Sequence, residues 1–212
     1  MEKGILISFE GGEACGKTSQ IKRLVSYLKD KGIDVVTSKE PGGTPLGEAV
    51  RNILLHSNLE ICPRAEALLF NASRVQNVLD VIKPALEQGK VVILDRFYDS
   101  TYAYEGYAGN LEVEELRPII DFAICGAVPD LTFLLDIDFD EALRRKNADE
   151  NLKNLDRFES KGKAYHEKVR SGFLQLAKDN SERFCVVDAK KPREEVFEEI
   201  KKEIEKRFDI KD

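Results

Sequence analysis

Gly11-Gly12-Glu13-Ala14-Cys15-Gly16-Lys17-Thr18 lies between an apolar run, Ile5 to Phe9, and a helix-like stretch that begins near Lys17. The GxxxxGKT spacing in a strand-loop-helix setting describes a phosphate cradle. Successive backbone N–H groups turn inward, and the following helix presents its positive N-terminal end, so anionic oxygens meet donors rather than side-chain bulk. Glycine is needed at 11 and 16 because a Cβ there would obstruct the turn or the phosphate. Residues 11–18 are therefore expected to hold the phosphates of a nucleotide, with Lys17 neutralising their charge and Thr18 ligating Mg²⁺. The pattern says that a triphosphate is bound, and it leaves open what is done with it.

Outward from the loop, Gly4 to Glu10 reads as a buried strand, and the helix after Lys17 carries an apolar face of Ile21, Leu24, Val25 and Leu28 that stops near Gly32. Four further strands are predicted at Ile33 to Ser38, Val91 to Leu94, Leu131 to Asp136 and Phe184 to Asp188. Between them the periodicity predicts a helix capped by Thr44 and running to about Leu55, and a long one from about Arg64 to Gln88 kinked by Pro84. Shorter helices follow at Ser100 to Tyr104, at Val113 to Ile124 and from Asp140. Two more are predicted at about Ser160 to Lys178 and at Arg193 to Phe208. Strands separated by helices of this length demand an α/β fold, a doubly wound parallel five-stranded sheet with helices on both faces. Ligands in such sheets sit at the carboxyl ends of the strands, where the loop, Glu40, Asp95-Arg96 and Asp136 all fall.

The 212 residues carry 33 Lys and Arg against 39 Asp and Glu, a net charge of −6, and no linker divides them. One domain is expected over residues 1–212, with no basic field to attract nucleic acid or an anionic membrane. Cys15, Cys62, Cys125 and Cys185 are scattered, which fits the reduced thiols of a cytoplasmic protein better than a disulfide frame or a zinc site. No apolar run approaches membrane-spanning length.

Asp95 follows the most apolar strand and is placed to hold Mg²⁺. Arg96 beside it suggests that a second anion is brought next to the terminal phosphate, since a water-splitting ATPase has no such group to hold. Taken with Phe9-Glu10-Gly11-Gly12-Glu13, Glu40-Pro41-Gly42-Gly43-Thr44, Leu68 to Arg74, Asp95-Arg96-Phe97, Ser100 to Gly106, Pro129-Asp130 and Leu155-Asp156-Arg157-Phe158, the chain resembles the thymidylate kinases nearly from end to end.

The resemblance implies the P-loop NTPase fold and phosphoryl transfer from MgATP to dTMP, giving dTDP and ADP for dTTP synthesis. It implies that Arg51 and Arg96 grip the acceptor's phosphate, that Phe70 stacks on the thymine, and that Arg74 bonds a base carbonyl. By spacing alone, Arg51 reads equally as a solvated helix residue and Phe70 as core. Glu40, Ser100, Thr101, Tyr102 and Tyr104 fall where the family encloses the nucleoside, and Glu13 resembles its sugar-binding loop carboxylate. Family members commonly carry Gln where this chain has Glu105, so a second carboxylate stands near Glu13. Like charges there would either raise the proton affinity of the pair or push Glu105 outward. No arginine lies inside the phosphate loop, so the chain looks like the group that supplies one from a mobile lid, here around residues 145–157, with Arg145 and Arg157 as the catalytic candidates. Lys190 falls in the segment that borders the adenine, and a homodimer of packed helices is implied. A P-loop switch is the rival from another class, but no NKxD guanine motif is present.

Overall fold

The computed structural model describes residues 4–148, 158, 161–208 and 210. Strand β1 (Ile5–Glu10) leads through the glycine-rich loop into α1 (Lys17–Asp30), followed by β2 (Val35–Lys39), α2 (Pro45–Arg51), α3 (Pro63–Asn77), α4 (Lys83–Glu87) and β3 (Val91–Asp95). The chain continues through α5 (Tyr98–Thr101), α6 (Val113–Ile124), β4 (Leu131–Asp136), α7 (Phe139–Ala148), α8 (Lys163–Asp179), β5 (Phe184–Asp188) and α9 (Arg193–Phe208). Every strand pair is parallel, in the order β2-β3-β1-β4-β5. The expected five-stranded sheet is therefore present, with β1 at its centre.

Alternation along the strands divides the core between the two faces. Ile7, Phe9, Ile93, Phe133 and Leu135 pack with Leu24 and Leu28 of α1 and Ile200 and Ile204 of α9. Leu6, Val92 and Leu94 point the other way, against Ala67 of α3 and Leu116 and Ile120 of α6. Leu134 meets Val169, Phe173 and Leu176 of α8 on that same side. Strands sealed on both faces in this way read as near-continuous apolar runs, as Val91–Leu94 does.

Local signals account for most element ends. Thr44 accepts from the Gly47 N–H at 3.0 Å and starts α2 as predicted. The α2 helix ends at Arg51 rather than Leu55, because residues Asn52–His56 continue as a π-helical turn. The helix expected from Arg64 to Gln88 is two, α3 and α4, joined by a second π-helical segment at Val78–Ile82. Pro84 lacks an N–H and its ring crowds the preceding turn, so the irregularity expected there takes the form of a widened turn. A third π-helical segment, Tyr102–Tyr107, extends α5 beyond the predicted Ser100 to Tyr104.

Strands β1, β2, β3 and β4 end at Glu10, Lys39, Asp95 and Asp136 on one edge of the sheet. Backbone bonds tie this edge together, from Glu40 N to the Asp95 carbonyl (3.0 Å), from Arg96 N to the Phe9 carbonyl (2.9 Å) and from Ala189 N to the Asp136 carbonyl (3.0 Å).

Candidate active site

The phosphate loop has the backbone its glycines permit. Gly11 adopts φ 136° and Gly16, the residue before α1, φ 99°. A Cβ on Gly11 would come within 2.5 Å of the Leu135 carbonyl oxygen, so the loop can lie on β4 only with glycine there. Lys17 Nζ donates to the carbonyls of Gly11 (3.3 Å) and Gly12 (3.0 Å), which holds its charge inside the loop. At the mouth, Thr18 Oγ1 donates to Asp95 Oδ2 at 3.1 Å. This pair of oxygens is the donor set expected to hold Mg²⁺. The described residues contain no cluster of three or more His, Cys, Asp or Glu that could ligate a metal. A hydroxyl and a carboxylate oxygen are the kind of donors that suit Mg²⁺, which takes one or two protein oxygens and completes its shell from phosphates and water.

A cleft of about 1210 Å³ opens over the loop, walled by residues 13–20, by Asp95, Arg96, Arg144 and Arg145, and by residues 189–193. Lys190 lies in its wall, with Nζ 2.6 Å from Asp138 Oδ2. Arg145 is in the wall too, held by Glu141 Oε1 (2.7 Å) and the Ala189 carbonyl (2.6 Å), so it links α7 to the segment after β5. Arg157 and most of the expected lid around 145–157 lie outside the described residues.

Beside this cleft is a cavity of about 170 Å³ lined by Glu13, Glu40, Pro41, Arg51, Leu55, Phe70, Arg74, Arg96, Phe97, Ser100, Thr101, Tyr104, Glu105 and Phe158. It unites the residues that the sequence assigns to the acceptor, with the exception of Tyr102. Phe70 is half-buried rather than core, its ring 5.8 Å from Phe158. Arg74 is wholly enclosed and gives Nε to Glu40 (2.8 Å), Nη1 to Asn71 (2.8 Å) and Nη2 to Thr101 (3.0 Å), leaving two N–H groups uncommitted. Burial raises the proton affinity of Glu40, against the pull of Arg74 and Asn77. Arg51 makes one bond, from Nη1 to the Pro41 carbonyl (2.8 Å), and forms no ion pair among the described residues. Tyr102 is not in the cavity wall and packs against Tyr98, with ring centroids 6.2 Å apart.

Arg96 joins the two spaces. It sits at φ 68°, a left-handed conformation that a side chain occupies at a cost unless its surroundings enforce it. Its guanidinium donates to the Gly11 carbonyl (2.9 Å), Ser100 Oγ (3.2 Å) and Glu13 Oε1 (2.7 Å), and lies 5.1 Å from the centre of the Tyr104 ring. Burial works against its charge, but Tyr104, Glu13, Glu10 and Asp95 together hold it firmly protonated. Glu10, a residue the sequence left unassigned, makes the turn possible. Its buried carboxylate accepts from Phe97 N (2.8 Å) and from Ser100 Oγ (2.6 Å). Burial and then Asp99 push its carboxyl up to about 8, with Ser100, Arg96 and Phe97 opposing. Its position as the last residue of a buried strand was the only available signal. Arg183 just before β5 holds Asp99 with bonds of 2.7 and 2.9 Å, a pair 84 residues apart that no local pattern marks.

Glu105 follows the first of the two expected alternatives, a raised proton affinity, for a different physical reason. It does not turn outward, being 2% exposed, and burial rather than a like charge pushes its carboxyl up to about 7, while Lys161 pulls it down. Asp136 turns toward Arg170, which it binds at 2.6 and 2.7 Å, beside a smaller cavity of about 100 Å³ behind the loop.

Comparison with known proteins agrees with this geometry. The sequence profile of the family described as Thymidylate kinase matches residues 9–200. The chain is 41% identical to a thymidylate kinase of Chlorobium chlorochromatii over 97% of this chain and 96% of that protein. It is 45% identical to one from Clavibacter michiganensis subsp. michiganensis over 93% of each. A crystal structure of thymidylate kinase from Ehrlichia chaffeensis superposes with a TM-score of 0.77 at 34% identity, covering 95% of this chain and 99% of that one.

Proposed function

The chain belongs to the thymidylate kinase family, and from that premise we propose how its own residues divide the transfer of a phosphoryl group from ATP to dTMP, which yields dTDP and ADP for dTTP synthesis. The observation that carries the proposal is that Glu13, Glu40, Arg51 and Arg96 line both the large cleft and the acceptor cavity. Donor and acceptor phosphates would meet there, at the carboxyl edge of the sheet.

Two anionic phosphates must be held in line while charge spreads over the oxygens of the transferred group, so most of the work is positioning and electrostatic compensation. The loop N–H groups and Lys17 would hold the donor phosphates. Thr18 and Asp95 would hold Mg²⁺, which would supply positive charge to offset that of the phosphates. Arg51, without an ion pair among the described residues, and Arg96, set between the loop and the cavity, would grip the acceptor phosphate, where a planar guanidinium can bond two oxygens at once. Glu13 would release part of its hold on Arg96 to receive the sugar hydroxyl, with Tyr104 beside it. Phe70 would stack on the base, and Arg74, braced by Glu40, would turn its remaining N–H groups toward a base carbonyl. Arg145 is assigned to the donor side with Lys190, and Arg157 retains the catalytic role that the resemblance implies.

A homodimer is proposed on the apolar side chains that α3, α6 and the segment after α3 leave exposed, namely Leu68, Phe122 and Leu79. Cytoplasmic location is proposed from the four unpaired cysteines. No helix of the described residues is long and apolar enough to cross a membrane.

A coupled ADP-release assay with MgATP and dTMP, dUMP, dCMP, dGMP, AMP, CMP or UMP tests the reading. Activity is expected with dTMP, with dUMP at most a distant second. ATP binding without transfer to any of them would refute it and favour a binding switch.

A further inference from the structure

We propose that Glu105 sets the specificity of the acceptor cavity as a neutral carboxylic acid, donating one hydrogen bond to the imide edge of the base and accepting another, and that its ionised form expels the nucleotide. This rests on the assignment of that cavity to dTMP.

The geometry begins with the π-helical segment Tyr102–Tyr107 that extends α5. A widened turn brings residues four apart onto one side, and Ser100 with Tyr104, and Thr101 with Glu105, all reach the cavity wall. Among these side chains Glu105 alone has a stranded atom. Its Oε1 is buried and has no hydrogen-bond partner among the described residues. Buried polar atoms are nearly always paired, and an orphan in the wall of a binding cavity points to a partner that arrives with the ligand. The terminal torsion of a glutamate is broad, so Oε1 can turn into the cavity without leaving its rotamer.

Among the described residues, every neighbouring cation is otherwise engaged or too weak to hold Glu105 ionised. Arg74, from α3, is taken by Glu40, Asn71 and Thr101. Arg96, after β3, is taken by Glu13 from the phosphate loop and by the Gly11 carbonyl, and Arg51, from α2, bonds the Pro41 carbonyl. Lys161, which precedes α8, lies 4.8 Å from the Phe158 ring centre and 4.2 Å from that of Tyr165. Among the described residues it is the cation that bears on Glu105, and burial outweighs it, leaving the carboxyl at about 7. Tyr104 and Tyr165 are the phenols on this side, and α6 meets the segment at Gly106 with the apolar Leu116 and Val113.

A protonated carboxyl presents one O–H donor and one carbonyl acceptor, as an amide does. That pair matches a ring N–H beside a carbonyl, the edge that thymine and uracil share, and Arg74 supplies the second carbonyl with its uncommitted N–H groups. A carboxylate has only acceptors. It would face a base carbonyl oxygen to oxygen and add negative charge to a cavity that must admit a phosphate. Binding of dTMP above neutral pH must therefore draw a proton onto Glu105.

Titration calorimetry of dTMP on the full chain and on Glu105→Gln, from pH 6 to 9, tests this, with ATP as the control ligand. The expected result is that the ratio of the two dTMP dissociation constants shifts against the unsubstituted protein by about tenfold per pH unit above 7, while the ATP ratio stays level. At pH 8, in buffers of different ionisation heat, the unsubstituted protein should take up about one proton per dTMP bound, and Glu105→Gln should take up none. Superimposable profiles would overturn the proposal, and so would the absence of proton uptake by the unsubstituted protein, a measurement that holds even if the variant fails to fold. Failure of both proteins to bind or phosphorylate dTMP at any pH is a different result, which would remove the assignment of the cavity and the proposal with it.

Discussion

Arg96 must sit in a left-handed backbone conformation to place its guanidinium between the phosphate loop and the acceptor cavity. Glu10 and Ser100 stabilise that turn from beneath, and Glu13 and the Gly11 carbonyl fix the fork. On the proposed assignment, Arg96→Ala removes a phosphate ligand and takes away the guanidinium that Glu13 binds at 2.7 Å where the acceptor must enter. Loss of one such preorganised donor typically costs about 10²–10³-fold in rate, so a drop in kcat/KM for dTMP of at least that size is expected with ATP affinity largely kept. Arg96→Lys should rescue little, since an ammonium cannot reproduce the planar fork. Steady-state kinetics together with ATP binding by calorimetry checks this, and equal loss of ATP binding would move Arg96 to the donor side.

Among the elements, α1 has the plainest physical logic. Its start is fixed by Gly16, and its apolar face of Ile21, Leu24 and Leu28 is buried on the sheet beside α9. Leu24 and Leu28 are wholly buried, and truncating a leucine in such a place removes transfer energy and leaves a cavity, at a cost of about 2–5 kcal/mol. Leu28→Ala should therefore lower unfolding stability by that amount in a denaturant titration. It lies toward the far end of the helix from the phosphate loop, so kcat for the folded enzyme is expected to change little. The π-helical segments Asn52–His56 and Tyr102–Tyr107 directly follow helices whose last turns contribute Arg51, Ser100 and Thr101 to the cavity. Wide turns recur at functional sites because they re-aim side chains that a regular helix would spread around its axis.

For the molecule as a whole, the parallel order β2-β3-β1-β4-β5 gathers the ends of four strands on one edge and leaves two adjoining spaces there. Ligands that bind only the folded state stabilise it by mass action, by about 2.7 kcal/mol at a hundredfold excess over Kd, which corresponds to about 5–11 °C for a chain of this size. ATP and dTMP should each raise Tm by that order in thermal denaturation. Arg51→Ala should keep the shift with ATP and lose most of the shift with dTMP, and loss of both shifts would show that Arg51 serves the donor.

The sequence determined by itself what depends on neighbours along the chain: the phosphate loop, the Thr44 cap, the alternating strands and hence the parallel sheet, and the motif order that resembles the family. It assigned the cavity residues through that resemblance, and all of them but Tyr102 line one space. Tertiary structure alone decided which charges meet. Arg74 with Glu40, Arg96 with Glu13 and Arg183 with Asp99 are separated by 34, 83 and 84 residues, and only folding puts them in contact. It also decided that Glu10 supports the Arg96 turn and that Glu105 is buried with one oxygen unpaired among the described residues. The cost of burying a carboxylate depends on everything packed around it, and that environment is assembled from segments distant in the chain.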